Sequence, residues 1–98
     1  MIEVKRMSNQ EFKVIVNSEG VTTEHIVALD DNYYKQLSRE KITKEELIKK
    51  SFEFLLDRES NQSILSSFNL KVINRYFPEF EGRIKQMLES GGKELQEK

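Results

Sequence analysis

The chain contains one histidine, His25, and no cysteine. A histidine performs acid–base or metal chemistry when a carboxylate or a second ligand stands beside it. In an extended segment the neighbours Glu24 and Ile26 point to the opposite face, so His25 is expected as a sheet histidine at the rim of a core. Without cysteine there is no disulfide, thiolate nucleophile or cysteine-ligated zinc. Asp30-Asp31-Asn32 is oxygen-rich, but it lacks the glycine and the distal bidentate glutamate of a calcium loop. Helix capping explains it better. Glu79 and Glu81 flank Phe80 in a first helical turn, where negative charge complements the dipole. Ser60, Ser63, Ser66 and Ser67 have no partner base in a motif and fit turn and cap roles. None of the four glycines belongs to a phosphate-binding loop: Gly20 is isolated in a hairpin, Gly82 is mid-helix, and Gly91-Gly92 ends a helix. No catalytic residue, cofactor or metal site is expected, and the protein is not expected to be an enzyme.

Nucleic-acid binding is the sharpest alternative. Ile64-Leu65-Ser66-Ser67-Phe68-Asn69-Leu70-Lys71-Val72-Ile73-Asn74-Arg75-Tyr76 resembles helix–turn–helix sequences in cadence. Between residues 60 and 78 stand two cations, Lys71 and Arg75, and no acid. These two are the candidate nucleic-acid contacts. Against them, the second helix has only about two turns before Pro78, and Val72 and Ile73 take much of its reading face. Two cations are also few, because specific binders make several phosphate contacts. A helical hairpin packing its aromatics on a sheet is the preferred reading of this segment.

The elements that would position these residues follow from hydrophobic periodicity. Residues 2–5 and 12–16 alternate, with Phe12, Val14 and Val16 on one face. Residues 21–29 place Val21, Thr23, His25, Val27 and Leu29 together. Asn17-Ser18-Glu19-Gly20 supplies the hairpin turn, with Gly20 free to take positive φ, and residues 7–10 form the other turn. After Leu29 the period changes to about 3.6. Asp30 or Asp31 can cap a short helix bearing Tyr33, Tyr34 and Leu37. Thr43-Lys44-Glu45-Glu46 is a capping box. It opens a helix over residues 44–58 with a stripe of Leu47, Ile48, Phe52, Leu55 and Leu56. Glu45–Lys49 and Glu46–Lys50 are i,i+4 pairs on its outer side. Phe54 lies off the stripe and either widens the buried face or meets a partner. Short helices are expected over residues 62–68 and, capped by Asn69, over 70–77. A last one begins near Pro78 and carries Phe80, Ile84, Met87 and Leu88.

Composition bounds the rest. Ninety-eight residues with 37% apolar and 34% charged content make one domain with one core and a heavily solvated surface. Net charge is −1, so no overall field steers a polyanion or an anionic membrane. Charge in Met1-Ile2-Glu3-Val4-Lys5-Arg6 stands where a signal peptide needs apolar residues. The longest apolar run, Ile26-Val27-Ala28-Leu29, is four residues, too short to span a membrane. The expected location is the cytoplasm.

Phe52-Glu53-Phe54-Leu55-Leu56-Asp57-Arg58-Glu59, then Ser63-Ile64-Leu65, Phe68, Leu70, Ile73 and Arg75-Tyr76-Phe77-Pro78-Glu79-Phe80-Glu81, resembles a block in small uncharacterised prokaryotic proteins. It covers roughly residues 52–81. The resemblance implies a prokaryotic, cytosolic origin and carries no activity, ligand or site residue.

The expected fold is thus α+β: a three-stranded antiparallel β-meander followed by four or five short helices on one face, in a single domain over residues 1–92 with a frayed charged tail over 93–98. The expected core is Val4, Phe12, Val14, Val16, Val27, Leu29, Leu37, Leu47, Ile48, Phe52, Leu55, Leu56, Phe68, Ile73, Phe77, Phe80, Ile84 and Leu88. The expected function is a non-catalytic interaction domain that binds a protein partner or self-associates through a sheet edge. Tyr33, Tyr34, Phe54 and Tyr76 are its candidate contact aromatics, with plain core packing the competing reading for each.

Overall fold

Alternating apolar residues fold the N-terminal part into antiparallel strands β1 (Ile2–Arg6), β2 (Glu11–Ser18) and β3 (Val21–Ala28). The structure is a computed structural model that describes the backbone of residues 1–97 and the side chains of residues 1–89. Val4 stands opposite Val14 across β1 and β2. Phe12 and Val14 stand opposite Val27 and His25 across β2 and β3. Phe12, Val14 and Val16 are fully buried, so one face of the meander forms the floor of the core. Ser18 pairs with Val21 around Glu19 and Gly20, both at positive φ (54° and 81°). That is the two-residue hairpin in which glycine suits the second position.

Four helices follow: α1 (Asp31–Ser38), α2 (Lys44–Leu56), α3 (Ile73–Tyr76) and α4 (Phe80–Glu97). The Asp30 carboxylate accepts from the Tyr33 amide at 2.7 Å and caps α1. The capping box of α2 is formed: Thr43 Oγ1 accepts from the Glu46 amide, and Glu46 Oε1 accepts from the Thr43 amide. Thr43→Ala is expected to cost about 1 kcal/mol, read as a lower urea midpoint at unchanged slope; an unchanged midpoint would show that the box does not hold this end. The outer i,i+4 pairs do not form. Glu45 takes the Arg6 guanidinium of β1 instead (Nε to Oε2, 3.0 Å), and Glu46 is engaged in the cap. Helix α2 also ends at Leu56 with Asp57 as its cap, short of Arg58.

The meander gains a fourth strand. Residues 62–68, expected as a helix, instead form a 3₁₀ turn at Asn61–Ser63 and then β4 (Ser67–Asn69), which pairs parallel with β3. The sheet is therefore mixed, in the order β1-β2-β3-β4. Serines give this stretch little helical preference, while the open edge of β3 offers hydrogen bonds, beginning with the Ile26 amide donating to the Ser66 carbonyl at 2.8 Å. The helix expected over 70–77 is a 3₁₀ turn, Leu70–Val72, running into the single turn of α3. Asn69 caps that turn by accepting from the Lys71 amide at 3.2 Å. Helix α4 continues through Gly91-Gly92, where it was expected to stop, to Glu97. Glycine weakens a helix by about 1 kcal/mol without forbidding it. Residues 93–97 of the expected frayed tail thus belong to α4, and residue 98 lies outside the described residues.

Most of the expected core is buried, but Val4, Leu56, Phe68, Phe77 and Leu88 are only partly covered. Tyr33, Phe54, Ile64 and Leu70 join it, together with the polar His25, Lys44, Ser51 and Asn61. No described helix is long and apolar enough to cross a membrane.

Candidate interaction groove

The connection between α2 and β4 is held to the sheet by two buried polar side chains. Asn61 Nδ2 donates to the carbonyls of Val21 (2.9 Å) and Val16 (3.4 Å). His25 lies at 2% exposure, with Nδ1 2.7 Å from the Leu65 carbonyl and Nε2 2.8 Å from Thr23 Oγ1. A carbonyl only accepts, so Nδ1 carries the hydrogen, and in the neutral ring Nε2 accepts from the threonine hydroxyl. The ring packs on Phe52, centroid to centroid 5.3 Å. His25 is thus on the face expected, but deep in the core rather than at its rim. It ties a residue forty positions away.

The tethered connection forms one wall of an open, mainly apolar groove of about 180 Å³. Leu55 contributes from the end of α2, Glu59, Ile64 and Leu65 from the connection that follows it, Phe68 from β4, and Tyr76 from α3. Leu65 and Tyr76 at its rim are 48% and 66% exposed, two large apolar side chains left in water beside an apolar concavity. Glu59 is the one charged residue among those lining it.

Of the four aromatics expected at a contact surface, Tyr76 alone lines the groove. Phe54 is 2% exposed; it meets Phe77 and Phe80 edge-on at 5.9 and 5.2 Å, and the Arg58 guanidinium lies 3.7 Å from its ring centroid. It widens the buried face of α2. Tyr33 is buried and donates to Glu81 Oε2 at 2.9 Å. Tyr34 is half-buried and donates to the Ile42 carbonyl. Lys71 and Arg75 are exposed, four residues apart, but the pair of helices that a helix–turn–helix needs is not formed, because strand β4 and a one-turn helix stand in its place. Leu65, Ile64 and Glu59 were not singled out as site residues. An apolar Ile64-Leu65 pair amid serines was the available signal, and a helical reading hid which of the two faces outward.

The remaining polar clusters are structural. Lys44 Nζ, almost fully buried, donates to Asp31 and to the Asn9 carbonyl and lies 5.8 Å from the Tyr34 ring centroid. It joins α2, α1 and the β1–β2 turn, and its hydrogen bond holds the Asp31 carboxyl below its ordinary range. Among the described residues, no group of three histidines, aspartates or glutamates is placed to hold a metal ion. Burial, and then the Glu81 carboxylate, push the Tyr33 phenol well above its usual value near 10.0. A folded-state value raised above the unfolded one stabilises the fold fully below pH 10 and is lost as pH rises beyond it. Tyr33→Phe should therefore flatten the alkaline fall in stability above about pH 10 while costing about 1 kcal/mol at neutral pH. An alkaline limb unaltered in the variant would disprove this role. No protein-family model matches the chain, and neither a curated protein nor a solved structure matches it.

Proposed function

We propose that the protein is a small non-catalytic interaction domain, and that its contact surface is the groove between the end of α2, the connection to β4 and α3. The observation that carries this reading is the placement of exposed Leu65 and Tyr76 on the rim of an apolar concavity. Its occupant is a large apolar side chain of a partner polypeptide. An apolar cavity of about 150 Å³ is enough to bind benzene, so this one takes one aromatic or branched aliphatic group. The sheet edges are poorer candidates. Strand β4 offers three residues, and β1 carries Glu3, Lys5 and Arg6 on five, both ordinary ways of blunting an edge against pairing. Exposed apolar area on this scale suits a transient contact better than a permanent one. A cysteine-free composition is compatible with the reducing cytoplasm, and the resemblance over residues 52–81 supports a prokaryotic setting.

The test is an amide chemical-shift titration with uncharged N-acetylphenylalanine methylamide. Saturable shifts are expected at Ile64, Leu65, Phe68 and Tyr76. The double substitution Leu65→Ser with Tyr76→Ser, at exposed positions where stability changes stay within about 0.5 kcal/mol, should weaken binding about fivefold or more. Absence of shifts, or shifts elsewhere on the molecule, would refute the reading. Duplex DNA should give no salt-sensitive anisotropy change; binding that weakens when Lys71 and Arg75 are both replaced by glutamine would favour nucleic acid instead.

A further inference from the structure

We infer that the ligand of this groove is a polypeptide segment in which the apolar anchor stands next to lysine or arginine, and that Glu59 receives the cation. The inference rests on the groove being the contact surface. Its basis is charge. Nine of the ten residues lining the groove are uncharged and the tenth is Glu59. Glu59 is half-buried, and among the described residues no cation lies within ion-pair distance of it.

The neighbouring cation is already engaged. Arg58 Nε lies 3.1 Å from Glu79 Oε2, and its Nη1 donates to the Phe54 carbonyl at 3.2 Å. Lys71 and Arg75 do not line the groove. Asp57 and Glu53, exposed near the same end of α2, do not line it either. A carboxylate at the mouth of an apolar concavity is less screened than one in open water, so it discriminates more strongly between ligand charges. An anionic flank would be repelled by Glu59, and a neutral one would leave it unpaired.

A second copy of the chain is the poorer occupant. Leu65 and Tyr76 are the large apolar side chains exposed at this face. They fall well short of the roughly 800 Å² per partner that a standard stable interface buries.

Three fluorescein-labelled Gly/Ser dodecapeptides test the inference by anisotropy: one with a central phenylalanine flanked by arginines, one with the flanks changed to glutamate, and one with arginine flanks and alanine for the phenylalanine. The arginine–phenylalanine peptide is expected to bind at least about tenfold more tightly than either other. The arginine-to-glutamate ratio should collapse to about threefold or less in Glu59→Gln, and it should persist in Glu53→Gln, which removes a nearby acid outside the groove. Equal binding of both charged peptides to the wild type, or a preference that survives Glu59→Gln, overturns the inference. If the peptides fail to bind while N-acetylphenylalanine methylamide still shifts the groove amides, the cationic ligand is wrong and the contact surface stands; if that probe fails as well, both fall. A concentration-dependent dimer in sedimentation, dissolved by Tyr76→Ser, would give the groove to a second copy and likewise overturn it.

Discussion

Phe52→Ala is expected to lower the unfolding free energy by about 3–5 kcal/mol, the range for removing a fully buried aromatic side chain. Phe52 has no exposed surface. Its ring is 5.3 Å from His25 and 6.1 Å from Phe68, centroid to centroid. It therefore joins α2 to β3 and β4 at once. Neither the sheet nor the helix can collapse into the space without giving up its own hydrogen bonds, so most of the cavity cost should remain. Domains of this kind are stable by only about 5–15 kcal/mol in total, and the variant should be near the limit of folding at 37 °C. Phe52→Leu, which keeps much of the volume, should lose about 1–2 kcal/mol. A loss below about 1 kcal/mol for the alanine variant, read from urea midpoints, would mean that the ring does not sit in a closed core.

His25→Ala comes next, at about 2–4 kcal/mol. The substitution leaves the Leu65 carbonyl and the Thr23 hydroxyl without their partner and opens a void beside Phe52. The larger consequence is local. Because His25 Nδ1 holds Leu65, its loss should release the connection that walls the groove, and amide shifts should be greatest at residues 64–68 rather than around position 25. Binding of N-acetylphenylalanine methylamide should weaken in parallel, while His25→Gln, which keeps a donor, should recover part of both. If stability is unchanged, or the shifts stay within β2 and β3, the histidine does not act as this tether.

Much of the molecule was legible because its rules operate over one to four residues. Alternation in residues 12–16 and 21–29 specified a strand face, and the Glu19-Gly20 turn has positive φ at both positions. Thr43 and Glu46 announced the start of α2, and the stripe from Leu47 to Leu55 is buried. Fold class follows from such signals, since strands followed by helices pack as α+β.

What the local rules left open was settled by groups distant in the chain. Residues 64–69 have similar local preference for one helical turn or an extended run. The unpaired edge of β3, with the Ile26 amide reaching Ser66 and His25 reaching Leu65, makes them strand β4 in place of the expected helix. Sequence left Phe54 open between burial and a contact role until Phe77 and Phe80 closed over it, and Tyr33 likewise until α4 brought Glu81 to its hydroxyl. Glu45 exchanged a neighbour four residues on for Arg6 of β1. The groove belongs to this second class: its walls come from the end of α2, the tethered connection, β4 and α3. Propensity differences of a few tenths of a kcal/mol separate local conformations. A buried hydrogen bond is worth about 1 kcal/mol and a covered side chain about 2, so tertiary contacts decided wherever local preferences were nearly balanced.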